Sequence, residues 1–427
     1  MKKDNYKPRL IDQMLKNDLN TFGAVCVEGP KWCGKTWSCE QTAASEYKLA
    51  DPASNFQNLQ LARIDLNIAL QGASPHLVDE WQEIPELWDA VRFAVDDNSG
   101  RPGRFLLTGS STPHRKGILH SGAGRIARLR MHTMSLFESG DSSGIVSLKE
   151  LFHTPPVMTF TGDISLQRIA DLIVNGGWPA RMSLNADSDG SLLTMQYIDA
   201  LIQEDLQRLE DKRRDPVRME RLMRSLARNE STTVSLRTLV DDMKNTDGSS
   251  LDDETAADYL EALKRLYVTE NQPPFSSNVR SSVRIKQADK IHFVDPSIAC
   301  ALLRMKSDAL IHDLKTLGFL FEALCERDLR IYADADGGRL YHYQDYKGHE
   351  IDAVIEMSDG TWGAFEIKLG ANQIDAAAAG LLKLQAEFRA DPKGKPPAFL
   401  CVICGMSKAV YTRPDGVIVL PVTALKN

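Results

Sequence analysis

The sequence lacks the features that would place it in a membrane or in an oxidising compartment. No apolar run reaches membrane-spanning length, and the first residues, Met1-Lys2-Lys3-Asp4, lack the apolar core of a secretion signal. Seven cysteines show no paired spacing. Cys401 and Cys404 form a C-x-x-C inside an apolar run with no second pair, which favours a buried strand over a metal or redox site. We therefore expect a cytoplasmic protein with reduced thiols and no membrane contact.

The sequence also lacks an excess of positive charge. Its 51 basic and 58 acidic residues give a net charge of −7, so any binding of nucleic acid requires a local basic patch. With 43% hydrophobic and 26% charged residues, the composition is that of an ordinary globular protein. A length of 427 residues indicates two or three domains.

The most informative motif lies near the N-terminus and has the pattern G-x-x-x-x-G-K-[ST]. It comprises Gly29, Pro30, Lys31, Trp32, Cys33, Gly34, Lys35 and Thr36. An apolar run at 24–28 predicts a strand before it, and a helix is predicted after it, which is the context of a phosphate-binding loop. In such loops backbone N–H groups surround the phosphates, the lysine contacts the β- and γ-phosphates and the hydroxyl binds Mg²⁺. We predict nucleotide binding here, with Thr36 as a metal ligand; a chance match in a glycine turn is the alternative.

A nucleotide-hydrolysing site needs a second, acidic strand end. The apolar run before Asp79 and Glu80 supplies it. We expect Asp79 to hold Mg²⁺ through water and Glu80 to orient or deprotonate the attacking water, although adjacent acids after a strand also cap helices. A third predicted strand, 104–111, ends in hydroxyl residues, of which Ser110 is our candidate for sensing the γ-phosphate; a helix cap is the alternative.

Two arginines follow these strands. Arg125 and Arg128 are candidate arginine fingers, acting in cis or on a neighbouring subunit, because a planar guanidinium suits the charge that develops on a transferred phosphoryl group. A finger supplied by a neighbour would imply a homo-oligomer. A basic strand at the surface explains the same residues equally well.

These motifs together resemble a known family. The loop 29–36, the acid pair in Val78-Asp79-Glu80-Trp81-Gln82 and the strand Leu107-Thr108-Gly109-Ser110 look like an AAA-type P-loop ATPase, and more narrowly like prokaryotic ATPases with a C-terminal domain of unknown function. The family pattern also includes Pro8-Arg9, Gly176-Gly177-Trp178-Pro179 and a C-terminal motif of acids and lysine, all present here. The resemblance implies ATP rather than GTP, with Mg²⁺ as cofactor.

The middle of the chain has a helical pattern from 164 to 227, interrupted at Gly176-Gly177-Trp178-Pro179. Two further helices, 235–243 and 255–266, precede two predicted strands, 268–274 and 290–294, which is the order of a winged helix. A packing module is favoured over DNA readout, because Asp258 and Glu261 lie on the second helix. A stripe of arginines also favours a salt-bridged surface over phosphate contact: Arg214, Arg218, Arg221 and Arg228.

The C-terminal part carries a second set of chemically suggestive residues. A predicted helix with Glu322 precedes three strands, 340–343, 350–356 and 362–368. Asp352 starts the second strand, and Glu366 and Lys368 share one face of the third, since alternate residues of a strand point the same way. Two carboxylates that bind a metal ion and a lysine that orients or activates water are what Mg²⁺-dependent phosphodiester cleavage needs.

This order of residues resembles the restriction-nuclease-like fold. The resemblance implies Asp352, Glu366 and Lys368 as catalytic residues, with Asp352, Glu366 and Glu322 as metal ligands. The short E-x-K motif is weak alone, so a ladder of salt bridges between strands is the alternative. Such domains also lose activity and become binding modules.

These observations predict an α/β protein with three domains. Residues 1–160 are expected to form a P-loop ATPase domain on a parallel sheet, 161–305 a helical and winged-helix-like region, and 306–427 a restriction-nuclease-like domain. The expected function is ATP hydrolysis coupled to a metal-dependent nuclease-like domain acting on DNA. The alternative is a regulatory ATP switch whose C-terminal domain only binds protein or nucleic acid.

Overall fold

The computed structural model describes residues 6–97, 100–112, 118–184, 190–209, 214–243, 252–278 and 287–427. The chain divides into two compact units. The first contains the described residues of Met1–Met134, Asp205–Arg213 and Glu261–Val268, and the second contains those of Ser135–Glu204, Arg214–Leu260 and Thr269–Asn427. No helix among the described residues is both long enough and apolar enough to cross a membrane.

The described strands are β1 (Ala24–Glu28), β2 (Ser45–Lys48), β3 (His76–Asp79), β4 (Phe105–Gly109), β5 (Ile126–Arg130), β6 (Val146–Ser147), β7 (Thr159–Phe160), β8 (Thr269–Gln272), β9 (Lys290–Phe293), β10 (Arg339–Gln344), β11 (Glu350–Glu356), β12 (Trp362–Lys368), β13 (Phe399–Cys404), β14 (Ala409–Thr412), β15 (Ile418–Leu420) and β16 (Leu425–Lys426).

The described α-helices are α1 (Ile11–Leu19), α2 (Lys35–Thr42), α3 (Ala53–Ile64), α4 (Leu87–Asp97), α5 (Leu136–Ser139), α6 (Leu148–Leu151), α7 (Leu166–Asn175), α8 (Ser191–Ala200), α9 (Leu206–Arg208), α10 (Pro216–Arg228), α11 (Leu236–Asp242), α12 (Asp253–Arg265), α13 (Pro296–Leu302), α14 (Ser307–Leu310), α15 (Leu314–Ala335) and α16 (Ile374–Ala390). A π-helical turn, Leu201–Asp205, connects α8 to α9.

The first unit is built on a parallel five-stranded sheet in the order β2-β3-β4-β1-β5. Its central strands are apolar on both faces, because helices cover the sheet on both sides. On one face, Val25, Val27 and Leu106 pack with α1 and with Cys39 of α2. On the other face, strand residues that include Cys26 and Phe105 pack against Trp88 and Val91 of α4 and Ala62 of α3. The carboxyl ends of β1, β3 and β4 are therefore fixed side by side.

The second unit contains a mixed seven-stranded sheet in the order β10-β11-β12-β13-β15-β14-β7. β10, β11 and β12 form an antiparallel meander, and β13 then runs parallel to β12. Apolar residues of α16 pack against Val354, Trp362 and Val402 in one core. Helix α15 also contacts the meander β10 to β12. The predicted α/β class is confirmed.

The middle of the chain contains a two-stranded hairpin and several arginine–acid ion pairs. β8 and β9 pair in an antiparallel hairpin after α11 and α12, in the predicted order. Arg214 lies before α10 and is buried, and its Nε donates to Asp258 at 3.1 Å. Arg218 and Arg228 pair with Asp215 and Asp242. These three arginines are thus engaged by acids, but the predicted surface stripe on one helix is wrong for Arg214, which is buried and precedes α10.

Candidate functional site

The phosphate-loop motif adopts the expected position between β1 and α2. Gly34 caps α2 with φ of 105°, a backbone conformation that disfavours any side chain, which explains the second motif glycine. The buried Lys35 donates through Nζ to the carbonyl oxygens of Gly29 at 2.9 Å and Pro30 at 2.8 Å. Its ammonium group therefore lies inside the turn of the loop, beside the N-terminus of α2, where the helix dipole favours an anion.

The remaining loop side chains differ in their surroundings. Cys33 is buried in the core beneath the loop, whereas Trp32 is 50% exposed. Lys31 forms an ion pair with Asp205 of the π-helical turn. The loop therefore combines an anchored interior with two side chains at the surface.

Thr36 and Asp79, the two predicted metal ligands of the first unit, are in direct contact. The Thr36 hydroxyl donates to Asp79 Oδ1 at 2.8 Å, and the Thr108 hydroxyl donates to the same oxygen at 2.5 Å. Burial raises the pKa of Asp79 above its ordinary value, while the two hydroxyl contacts oppose this shift. A hydroxyl at the N-terminus of α2 and a carboxylate at the end of β3 fit Mg²⁺, because this ion prefers hard oxygen ligands and keeps several waters.

Glu80 is held next to this pair by side chains from β4 and from the turn after β3. Its backbone has φ of 59°, and its N–H donates to Thr108 Oγ1 at 3.1 Å. Its Oε2 accepts from the Ser110 hydroxyl at 2.8 Å and from the Gln82 amide. The structure therefore brings Ser110 and Glu80 into direct contact, so this hydroxyl orients the predicted catalytic carboxylate.

Arg9 explains the Pro8-Arg9 segment of the family pattern. Its buried guanidinium donates to the Cys33 carbonyl at 2.8 Å and to the His132 carbonyl at 2.9 Å. The segment before α1 is thereby tied to the phosphate loop and to the end of β5. The sequence alone gave Arg9 no role beyond the resemblance, because its partners are backbone carbonyls distant along the chain.

The two candidate arginine fingers are bound to acids of their own unit. Arg125 Nε donates to Asp96 of α4 at 2.9 Å, and its side chain is 48% exposed. Arg128 donates to Glu28 at 2.8 Å and stacks on the Trp88 ring, 4.3 Å from its centroid. Both therefore have structural partners, and the Arg125 carbonyl also accepts from the N–H of Ala24 of β1 at 3.0 Å.

In the second unit, Asp352, Glu366 and Lys368 converge as predicted. Lys368 Nζ lies 3.1 Å from Asp352 Oδ2 and 2.7 Å from Glu366 Oε2. Asp352 Oδ2 also accepts the backbone N–H of Ile367 at 2.7 Å. The E-x-K residues and the acid of the preceding strand thus form one compact group on β11 and β12.

The two carboxyl groups of this cluster differ in acidity. Burial and the neighbouring Asp352 charge raise the pKa of Glu366 to about 8. For Asp352, burial acts in the same direction, but the charges of Lys368 and Lys290 outweigh it and hold its pKa below the ordinary value. Of the two carboxyl groups, Glu366 is therefore the one that takes up a proton more readily.

Glu322 projects from α15 towards this group but has a different partner. Lys290 Nζ of β9 donates to Glu322 Oε1 at 2.8 Å and lies 3.5 Å from Glu326 Oε1. Burial and the charge of Asp352 raise the pKa of Glu322 well above its ordinary value. Within the described residues, the group of three that brings ligand atoms within 4.8 Å of one another is Asp345, His349 and Glu387, on the β10–β11 turn and α16. Asp352 and Glu366 fit a pair of metal ligands, while Glu322 is engaged by Lys290.

Lys290 was not predicted as a site residue. In the sequence it starts a short strand of an expected wing, and its role depends on how that strand packs against α15. One signal was present: Lys290 and His292 are polar at alternate positions of an otherwise apolar strand, and both are buried. Alternation of this kind on a buried face indicates partners of opposite charge.

A buried network holds β9 in place. His292 contacts Glu230 Oε1 through Nδ1 at 3.0 Å and Gln272 Oε1 through Nε2 at 2.8 Å. Gln272 in turn donates to the backbone carbonyls of Tyr341 at 2.9 Å and Asp352 at 3.1 Å. The β8–β9 hairpin is thus attached directly to the backbone of the candidate site.

The comparisons with protein families divide the chain into three parts. Residues 21–139 match an AAA domain, 166–309 match a domain of unknown function (DUF8612), and 317–425 match another domain of unknown function (DUF4143). The N-terminal part of the chain is therefore similar to AAA domains. No curated protein matches the chain.

Solved structures show weaker similarity. A Walker-type ATPase of Pyrococcus abyssi is 13% identical, with a TM-score of 0.43 over 71% of this chain and 97% of its own. The ORC1 protein of Aeropyrum pernix in complex with DNA is 12% identical, with a TM-score of 0.24 over 70% of this chain and 94% of its own. A RuvB variant of Thermotoga maritima is 14% identical, with a TM-score of 0.24 over 62% and 89%. These likenesses add nothing to the assignment of function.

Proposed function

We propose that the chain binds and hydrolyses ATP in the first unit, and that hydrolysis controls a metal-dependent nuclease-like site in the second. The observation that carries the ATPase part is the contact of Thr36 with Asp79, beside a Glu80 oriented by Ser110. A phosphate loop, a metal-binding acid and a carboxylate positioned for water are the parts that phosphoryl transfer needs. The AAA-domain match covers all of them.

Each residue has a stated task in this proposal. The loop N–H groups and Lys35 bind the phosphates, and Thr36 and Asp79 hold Mg²⁺, which supplies charge neutralisation at the transferred phosphoryl group. Glu80 orients the attacking water and accepts its proton. Ser110 keeps Glu80 in place and senses the γ-phosphate, and Arg125 completes the site from a neighbouring subunit.

Substitution of the loop lysine tests the ATPase proposal. We expect Lys35→Ala to lower phosphate release from ATP by about 10²-fold or more, because an electrostatic contact to the transferred group is lost. Lys16→Ala, which removes a cation from the exposed face of α1, is the matched control and should retain wild-type activity. Hydrolysis by Lys35→Ala at the wild-type rate would overturn the proposal.

The nuclease-like part of the proposal is supported by the convergence of Asp352, Glu366 and Lys368. Asp352 and Glu366 would hold a divalent cation, which supplies Lewis-acid activation of a phosphodiester. Lys368, already within contact of both acids, would orient the attacking water. In this proposal the protein is cytoplasmic and its nuclease-like domain acts on DNA. The proposed domains are the ATPase domain 1–160, the helical and winged-helix-like region 161–305 and the nuclease-like domain 306–427.

A regulatory ATP switch is the second candidate function. It is favoured by the ion pairs that occupy the acids, since Lys290 holds Glu322 and Lys368 bridges Asp352 and Glu366. In that case the second unit binds a protein or nucleic acid without cleaving it.

A plasmid assay distinguishes the two candidates. Supercoiled DNA is incubated with the protein and Mg²⁺ or Mn²⁺, with and without ATP, beside Asp352→Asn. The nuclease proposal expects nicking that is lost in Asp352→Asn and kept in Glu350→Gln, a substitution at an exposed position of the same strand. Absence of nicking under every condition, with ATP hydrolysis intact, supports the switch.

A further inference from the structure

The C-terminal cluster contains more cations than the proposed chemistry requires. Four carboxyl groups, Glu322, Glu326, Asp352 and Glu366, face two ammonium groups, Lys290 and Lys368. Lys368 belongs to the E-x-K pattern, whereas Lys290 comes from another element, β9. A buried ammonium is costly unless it is paired, so the position of Lys290 needs an explanation.

Lys290 is placed by the same network that fixes β9. It shares one strand face with His292, whose ring is bonded to Glu230 and to Gln272. Gln272 is bonded to the backbone of Asp352, so the strand and the candidate site are held together. This network therefore fixes Lys290 against Glu322 and Glu326, and the Lys290 side chain is only 11% exposed.

We propose that Lys290 is a built-in cation that occupies the carboxylates of α15, so that a divalent metal ion can use Asp352 and Glu366 but not Glu322 or Glu326. This inference rests on the proposed function of the C-terminal site. Its physical basis is competition between a metal ion and a buried ammonium group. Lys290 is only 11% exposed and is bonded to Glu322 at 2.8 Å, so a metal ion reaches that carboxylate only by breaking a buried pair. Lys368 is 29% exposed, so its ammonium group can turn towards solvent and release Asp352 and Glu366. Lys290 is thus a positioning residue that limits the site to a single metal ion.

The first test measures metal binding rather than cleavage. Mn²⁺ is titrated into nucleotide-free protein carrying Asp79→Asn, which removes a proposed metal ligand of the ATP site, and free Mn²⁺ is followed by electron paramagnetic resonance. Lys290→Met in this background should bind Mn²⁺ about tenfold more tightly or take up an additional ion. The gain should disappear when Glu322→Gln is added. Lys408→Met, which breaks a surface ion pair with Asp163, is the control and should leave Mn²⁺ binding unchanged.

Unchanged stoichiometry and affinity in Lys290→Met would overturn the inference. A second variant serves if Lys290→Met does not fold: Glu322→Gln with Lys290 retained. The inference expects this variant to bind Mn²⁺ as its parent does, whereas Asp352→Asn loses binding. Equal loss in Glu322→Gln and Asp352→Asn would show that Glu322 is a ligand and that Lys290 does not exclude it.

The outcomes separate this inference from the proposed function. Increased Mn²⁺ binding by Lys290→Met without DNA cleavage in any variant retains the inference and rejects the nuclease. DNA cleavage by the wild type that needs Glu322 as much as Asp352 retains the nuclease and rejects the inference.

Discussion

At the scale of single residues, Glu80 offers the sharpest test of the ATPase chemistry. Its carboxylate accepts from Ser110 and Gln82, so it is oriented before any substrate binds. Loss of a positioned base slows a reaction by about 10²- to 10⁴-fold. We therefore expect Glu80→Gln to bind ATP normally, measured by equilibrium dialysis, and to hydrolyse it at least about 10²-fold more slowly.

The control for this prediction lies three residues away. Glu83 is an exposed acid of the following turn, so Glu83→Gln should retain wild-type hydrolysis. A Glu80→Gln variant that loses ATP binding as well would mean that Glu80 supports the fold of the loop, not the chemical step.

Residues within contiguous motifs could be predicted from sequence, and residues that depend on packing could not. Lys35, Thr36 and the pair Asp79 and Glu80 lie in motifs whose spacing carries the chemistry, and the structure brings the start of α2 next to the end of β3. Lys290 was missed because its partner Glu322 lies on a helix 32 residues later. No local pattern encodes that contact.

At the scale of elements, β9 is held by a contact between His292 and Glu230, and the hydrogen bonds around them indicate where their protons lie. Gln272 uses its amide N–H groups on two carbonyls, so its Oε1 must accept from His292 Nε2. Burial lowers the pKa of His292 well below its ordinary value and raises that of Glu230 well above. The pair is therefore neutral, with Glu230 donating its proton to His292 Nδ1.

This pairing predicts how stability depends on pH. Between the ordinary pKa values of 4.5 and 6.5, the folded and unfolded pairs each hold one proton. Above 6.5 the unfolded pair holds none, so the free energy of unfolding falls by about 1.4 kcal/mol per pH unit until folded Glu230 ionises. Below 4.5 the unfolded pair holds two protons, and the free energy of unfolding falls again.

Glu230→Gln isolates this effect, because the amide keeps both hydrogen bonds and cannot titrate. Chemical unfolding at a series of pH values should show the variant gaining stability relative to the wild type as pH rises above 4.5. The variant alone should reach a plateau above 6.5. Parallel curves for the two proteins would contradict the assignment of a proton to Glu230.

The break between α7 and α8 has a similarly local cause. Gly176 has φ of 64°, and a Cβ at this position would lie 2.4 Å from Asp295 Oδ1. Asp295 is fully buried and accepts from the Gly177 N–H at 2.9 Å and from Arg327 at 3.0 Å. Gly176→Ala should lower the free energy of unfolding by about 2–4 kcal/mol, since it combines backbone strain with overpacking.

A second glycine provides the matched control. An added Cβ at Gly380, within α16, meets no atom within 4 Å. Gly380→Ala should therefore raise the free energy of unfolding by up to about 1 kcal/mol, as alanine favours a helix. Equal effects of the two substitutions on urea unfolding would show that the contact with Asp295 does not define the turn.

Among the elements, strands with clear apolar character were predictable. The predicted strands around 24–28, 104–111, 350–356 and 362–368 correspond to β1, β4, β11 and β12. The edge strand β7, which spans only Thr159–Phe160, was not predicted. It is defined by pairing with residues of β14 that lie 249 or more positions later in the chain. Short strands of this kind have no periodicity of their own and are fixed by the sheet they join.

At the scale of the whole molecule, the remaining question is whether the ATPase site is completed by a second copy. Arg125 is half exposed and is bonded to Asp96 and to the Ala123 carbonyl, and it makes no described contact with Lys35 or Glu80. Its carbonyl accepts from the N–H of Ala24 at the start of β1, so Arg125 lies at the amino ends of the strands, away from the phosphate loop. The proposed role of Arg125 therefore requires a neighbouring subunit. Arg128 is fixed by Glu28 and Trp88, so its role within its own unit is structural.

Mixing two inactive variants tests this arrangement. Lys35→Ala retains Arg125 but lacks phosphate binding, whereas Arg125→Ala retains the loop but lacks the guanidinium. If Arg125 acts in trans, a mixture should hydrolyse ATP faster than the sum of the two separate proteins, because each mixed contact restores one complete site. Mixing Arg128→Ala with Lys35→Ala should not restore ATP hydrolysis, because Arg128→Ala loses the contacts of Arg128 with Glu28 and Trp88 of its own chain. Failure of both mixtures, with Arg125→Ala inactive, would contradict action in trans.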